Sequence, residues 1–318
     1  MIALPTLRQL QFFAALARRK SFSKAAEDCF VSQSTLSSAI KELEGILGAQ
    51  LVDRSTRSFA LTPAGEETAA RAASILATTE DLVRRAGARR PLEGPFHLGV
   101  IPTIAPFLLP AAAPLLKKSF PKLELFLRED LTAALAERLS AGLLDAAVLA
   151  FPYELDGAET VEIGEDPFWL ASSPDDPLTN KKAVRLADLV GVNLLLLEDG
   201  HCLRDHAIDA CKLRRPDAAA YGATSLLTLT QMVQSGLGAT LLPEMAVKAG
   251  LADTTGLRVA RFAAPAPARR IGLAWRKGSG RREEALAIAE ILRKTMADRP
   301  AAKRKRGRNF QSRQAARA

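Results

Sequence analysis

Ser21-Phe22-Ser23-Lys24-Ala25-Ala26-Glu27-Asp28-Cys29-Phe30-Val31-Ser32-Gln33-Ser34-Thr35-Leu36 packs two helix starts into one short stretch. Ser21 is placed to cap a short helix through Lys24 to Asp28, and a turn falls at Cys29-Phe30-Val31. Ser32 to Thr35 then open a second helix, Leu36 to Leu47, which ends near Gly48. Ala26, Val31, Leu36, Ile40 and Leu43 form the expected core between these helices. Ser32, Gln33, Ser34, Thr35, Ser37, Ser38 and Lys41 are too dense a polar set for burial. Short hydrogen-bonding groups on the first turns of a helix suit the major groove of double-stranded DNA, where they meet base edges and phosphates. A solvated, serine-rich helix face is the plainer reading of the same residues.

Upstream, Leu7, Leu10, Phe12, Phe13, Ala15 and Leu16 recur at helical spacing. Downstream, residues 50–62 read as a two-stranded wing whose basic tip, Arg54 and Arg57, suits phosphate or the minor groove. Ala25-Ala26, Val31-Ser32-Gln33-Ser34, Lys41-Glu42-Leu43-Glu44, Leu47-Gly48, Leu51-Val52-Asp53-Arg54 and Leu61-Thr62-Pro63-Ala64-Gly65 follow in order. Together they resemble the winged helix-turn-helix of LysR-type transcriptional regulators. Ser34 departs from the pattern, standing where many relatives have proline. Cys29 inside this unit reads as a small buried hydrophobe. Thr62-Pro63 opens a long helix whose stripe of Ala69, Ala72, Ala73, Leu76 and Val83 permits close helix–helix approach. It resembles the family's dimerising linker helix.

Beyond a basic, turn-rich hinge at 87–91, β-rich runs alternate with helical stretches: 96–101, 123–127, 146–151, 194–197 and 239–242. The alternation argues an α/β architecture with mostly parallel strands. The resemblance implies two subdomains of the periplasmic-binding-protein type, crossed by the chain near Glu165 and near Arg269. The expected organisation is a DNA-binding domain at 1–62, a linker helix and hinge at 63–90, and a regulatory domain at 91–298. Within the last, one subdomain takes 91–164 with 270–298 and the other 165–269. A basic tail covers 299–318. Thr103 and Thr132 follow the first two strands, and Thr224-Ser225 opens a later helix. Such hydroxyls either bind ligands at strand ends or simply cap helices.

Glu198-Asp199-Gly200-His201-Cys202-Leu203-Arg204-Asp205, with Cys211 nine residues after Cys202, sets a thiol among a histidine, an arginine and carboxylates. A helix from His201 to Cys211 places Cys202 in its first turn, where the macrodipole favours a thiolate. Nine residues of helix separate the thiols by ~13 Å along the axis. A disulfide needs Cα atoms within roughly 7 Å, so joining them requires refolding of this segment. Inert thiols and a zinc site from His201, Cys202, His206 and Cys211 are the rivals, although those four do not share one helical face.

The run 194–205 with Cys211 is also similar to the redox segment of the hydrogen-peroxide-sensing LysR-type regulators. Ile101-Pro102-Thr103, Ala223-Thr224-Ser225-Leu226 and Arg269-Arg270-Ile271-Gly272-Leu273 fall in register with it. This resemblance implies that Cys202 is the peroxidatic thiol and Cys211 its resolving partner. It further implies that Thr103, Thr132, His201, Asp205 and Arg269 bind or activate hydrogen peroxide.

A net charge of +9 over 318 residues invites a nucleic-acid reading, but its distribution matters more. Residues 91–298 are net −3, while 299–318 hold eight Lys/Arg and no Asp/Glu. DNA binding therefore has to be argued from the local motif; the tail adds sequence-independent attraction or is merely solvated. The best apolar run, 104–116, is short and broken by three prolines, so no membrane span and a cytoplasmic location are expected. Three cysteines in so long a chain argue against a disulfide scaffold. The expectation is a DNA-binding, peroxide-responsive regulator, not an enzyme, without cofactor or metal. Its expected partners are double-stranded DNA, hydrogen peroxide, further copies of itself (a tetramer), RNA polymerase, and a thiol reductant of glutaredoxin or thioredoxin type. A metabolite-responsive LysR-type regulator with incidental cysteines and a thiol peroxidase are the alternatives.

Overall fold

A computed structural model describes residues 3–53, 59–86, 92–212 and 222–298. Arg54, Arg57, the hinge at 87–91 and the basic tail lie outside the described residues. The chain divides into two compact units, one drawn from 1–163 and 270–292, the other from 164–269 and 293 onward.

The first unit opens with α1 (Leu7–Arg19), α2 (Phe22–Asp28) and α3 (Gln33–Leu47). Each starts on a hydroxyl cap. Thr6 forms a capping box with Gln9, Ser21 accepts from the Lys24 amide, and Ser32 accepts from the Thr35 amide. Gly48 ends α3 in the left-handed conformation at φ 65°. Phe12, Phe13, Leu16, Ala25, Ala26, Leu36, Ile40 and Leu43 are buried together, with Val31 half-buried against them. The expected helix-turn-helix core is therefore present.

β1 (Val52–Asp53) and β2 (Ala60–Leu61) pair antiparallel as the base of a wing. The long α4 (Pro63–Ala86) follows, with the Thr62 hydroxyl accepting from the Gly65 amide. A Cβ at Gly65 would collide with the Leu51 carbonyl, so only glycine lets this helix start so close to the wing.

In the same unit β3 (Gly94–Val100), α5 (Ala105–Ser119), β4 (Leu123–Glu129), α6 (Thr132–Ser140) and β5 (Ala146–Phe151) form two crossovers. β3 lies between β4 and β5, parallel to both. The chain leaves through β6 (Ala158–Ser172).

The second unit adds β7 (Leu194–Leu195), α7 (Cys202–Cys211), α8 (Leu226–Gln234), β8 (Ala239–Pro243), α9 (Glu244–Lys248), α10 (Leu251–Thr254) and β9 (Arg258–Arg261). β7 and β8 are parallel, whereas β6 runs antiparallel to both β8 and β9. The chain returns through β10 (Ala268–Arg276), antiparallel to β5, and closes with α11 (Arg282–Ala297).

The mostly parallel expectation is corrected here. Crossover helices make the parallel pairs, but the two long strands that carry the chain between units pair antiparallel. The run 194–197 is also shorter than expected as a strand: two residues pair with β8, and Leu197 makes only an isolated bridge to Ala223. No helix among the described residues is long and apolar enough to cross a membrane.

Candidate functional site

The exposed side of α3 presents Gln33, Ser34, Thr35, Ser38 and Lys41, while Ser37 is half-buried. Leu36, Ile40 and Leu43 bury the opposite side. Ser32 is exposed too, but its hydroxyl is engaged locally. It caps Thr35 at 3.1 Å and lies 2.8 Å from the Ser34 hydroxyl and 2.7 Å from that of Thr35. Gln33, Ser38 and Lys41 thus stand exposed on this face, with Ser32 fixing the start of the helix. Ser23 holds the Gln33 amide oxygen at 3.1 Å, which orients that side chain from α2.

Thr103 and Thr132 belong to the first unit, after β3 and at the start of α6. Neither is a helix cap. The cap positions are Ile104 and Leu131, and neither helix has a side-chain cap. Both threonines are only 3% exposed, and the Thr132 hydroxyl has no hydrogen-bond partner. A buried hydroxyl left unpaired at a strand's end is costly unless a ligand or water completes it. Ser225, by contrast, is an ordinary cap for α8.

In the second unit α7 begins at Cys202 and ends at Cys211, as the sequence suggested. Gly200 makes the turn before it at φ 93°. His201 stands at the N-cap position without a side-chain cap bond, and the buried Leu203, Ala207 and Ile208 anchor the helix. Cys202 is half-buried in the first turn, and Asp205, at i+3, is exposed on the same face.

Burial lowers the pKa of His201, with Glu198 opposing. Arg204 reaches the Asp199 carboxylate at 3.1 Å and the Leu197 carbonyl at 3.3 Å, stitching the turn to the helix. Cys211 is 3% exposed, and desolvation pushes its thiol up to about 12. With Leu189, Val190 and Leu196 it lines a pocket of 590 Å³. The three cysteines are free thiols. Among the described residues no three His, Cys, Asp or Glu side chains gather as a metal site.

Arg269, also in the second unit, is wholly buried on β10. Its Nε and Nη2 donate to one oxygen of Asp166 at 3.0 and 2.9 Å, and the Met245 amide donates to the other at 2.9 Å. Burial pushes the Asp166 carboxyl upward, with the guanidinium and the amide pulling the other way. Nothing in the sequence marks Asp166. An aspartate in the run Glu165-Asp166-Pro167-Phe168 carries no local signal for a partner 103 positions away.

The chain is similar to known proteins over most of its length. Residues 7–66 match the model described as bacterial regulatory helix-turn-helix protein, lysR family, and residues 89–297 match the LysR substrate binding domain. A probable hydrogen peroxide-inducible genes activator of Streptomyces viridosporus is 42% identical, over 93% of this chain and 96% of that one. The HTH-type transcriptional regulator EstR of Acinetobacter baylyi is 40% identical, over 93% and 99%. The structure of full-length OxyR C199D from Pseudomonas aeruginosa superposes with a TM-score of 0.80 at 34% identity, covering 92% of this chain and 95% of that one. The chain belongs to the LysR family of bacterial helix-turn-helix regulatory proteins.

Proposed function

We propose that this LysR-family DNA-binding regulator senses hydrogen peroxide through Cys202 and Cys211. Overall similarity is nearly equal to relatives of different names, so the reading rests on α7. One helix carries a half-buried thiol on its first turn and a fully buried thiol on its last. The Cys202 thiolate attacks one peroxide oxygen; an S–O bond forms, the O–O bond breaks, and the departing hydroxide takes a proton to become water. His201, Asp205 and Arg269, with Thr103 and Thr132, are the proposed peroxide-binding and activating groups. Thr103, Thr132, His201 and Arg269 donate hydrogen bonds to peroxide or stabilise charge on the leaving oxygen. Asp205 is the exposed proton carrier of the set.

The sulfenic acid then condenses with Cys211, releasing water and leaving a disulfide. With α7 intact the thiols stand ~13 Å apart along its axis, so condensation requires the helix to open. Protonated and buried, Cys211 is a poor nucleophile until it does. Oxidation therefore exchanges one backbone conformation for another, and the DNA-binding head responds.

The proposal carries a cytoplasmic location, where the DNA lies, and a homo-oligomer, a tetramer, whose arrangement follows the state of α7. It also carries RNA polymerase contact and re-reduction by a glutaredoxin- or thioredoxin-type dithiol. Gln33, Ser34, Thr35, Ser37, Ser38 and Lys41, with Arg54 and Arg57 of the basic sequence that follows Asp53, are the proposed DNA contacts, positioned by Ser32. Replacing Cys202 by Ser should abolish any peroxide-dependent change in the operator footprint; a footprint that still shifts would remove Cys202 from the sensing role.

A further inference from the structure

We propose that Asp166 is a positioning residue for peroxide reduction at Cys202, acting only through Arg269. The inference rests on the peroxide reading above. A guanidinium stabilises charge on a departing oxygen best where water is excluded, and Arg269 is wholly buried. A buried guanidinium needs a counter-charge, and Asp166 on β6 supplies it along one edge. Both Nε and Nη2 bond a single carboxylate oxygen, which fixes the orientation of the guanidinium. The second oxygen is held by the Met245 amide at the start of α9, and the Met245 sulfur lies 3.8 Å from Nη2. The carboxylate thus cannot rotate without losing a bond on one side or the other. One acidic side chain ties together β6, α9 and β10 around the arginine.

The test uses the full chain and compares two reagents at Cys202, hydrogen peroxide and iodoacetamide. Both need an accessible thiolate, but only peroxide expels an oxygen that Arg269 can stabilise. Asp166→Asn keeps the shape and the acceptor for Met245. It should slow peroxide oxidation at least tenfold, since small displacements of a stabilising group cost this much, and leave alkylation within twofold. Asp166→Glu should recover most of the peroxide rate. Arg269→Gln should slow peroxide by about a hundredfold. The double variant Asp166→Asn/Arg269→Gln should match Arg269→Gln alone, because Asp166 then has nothing left to position. That double variant removes both buried charges together and carries the test where the single Asp166→Asn does not fold.

Three results would overturn the inference: an Asp166→Asn rate equal to wild type, an equal fall with both reagents, or a double variant tenfold slower than Arg269→Gln. A wild-type Cys202 that fails to react with peroxide sinks the peroxide reading itself, whatever the variants do.

Discussion

Disulfide formation should be limited by how often α7 opens, and substitutions that touch neither thiol should tune it. Cys202 and Cys211 are the first and last residues of a ten-residue helix. Leu203 and Ile208 are 3% and 4% exposed, and burying each contributes about 2 kcal/mol. Opening therefore costs several kcal/mol, and the open state is a minor population. Under that condition the resolution rate follows the opening equilibrium.

Ala210 is half-buried inside α7. Ala210→Gly weakens the helix by about 1 kcal/mol and should speed resolution about fivefold. Asp209 is exposed near the helix C-terminus, where a carboxylate opposes the macrodipole. Asp209→Lys improves both propensity and dipole by about 1 kcal/mol together and should slow resolution about fivefold. The assay is rapid quench with a sulfenic-acid trap and a thiol alkylator, which separates oxidation of Cys202 from closure on Cys211. The first step should stay within twofold in both variants. Resolution that is unchanged in both, or shifted in the same direction, would refute the claim that α7 must open.

Alkaline pH should also favour opening. Cys211 is raised to about 12 in the fold, against 9.0 for an exposed thiol. Its burial is thus fully stabilising below pH 9, and the contribution fades as pH climbs toward 12. Amide exchange of α7, corrected for its intrinsic pH dependence, should show roughly tenfold more opening at pH 10 than at pH 8 in wild type, and no such gain in Cys211→Ala. Cys211→Ser should leave Cys202 reactive but let its sulfenic acid accumulate, read by mass spectrometry of the trapped adduct. Ser32→Ala removes the α3 cap and should cost the DNA-binding head about 1 kcal/mol, measured as a lowered Tm and a uniform loss of DNA affinity. Gln33→Ala should instead leave the melt alone and relax specificity at one base pair, by about 1–3 kcal/mol in a binding-site scan.

The contrast between Ser32 and Asp166 shows what sequence can carry. Ser21, Ser32 and Gly48 act within four residues of themselves, and Leu36, Ile40 and Leu43 repeat at helical spacing, so the DNA-binding head was legible. The separation of Cys202 and Cys211 was legible for the same reason: helix geometry is local. The antiparallel pairing of β5 with β10, and of β6 with β8 and β9, joins residues distant in the chain and left no periodic trace. Thr103 and Thr132 sat in plausible cap positions by sequence; the structure moved the caps to Ile104 and Leu131 and left the Thr132 hydroxyl buried and unpaired. Asp166 is the clearest case, since nothing near it in the chain announces Arg269.

The most direct test treats the reduced full-length protein with one equivalent of hydrogen peroxide and maps every thiol by mass spectrometry. A Cys202–Cys211 disulfide should form, with Cys29 left as a free thiol and the peroxide consumed. Cys202 remaining a free thiol while peroxide persists in solution would contradict this expectation.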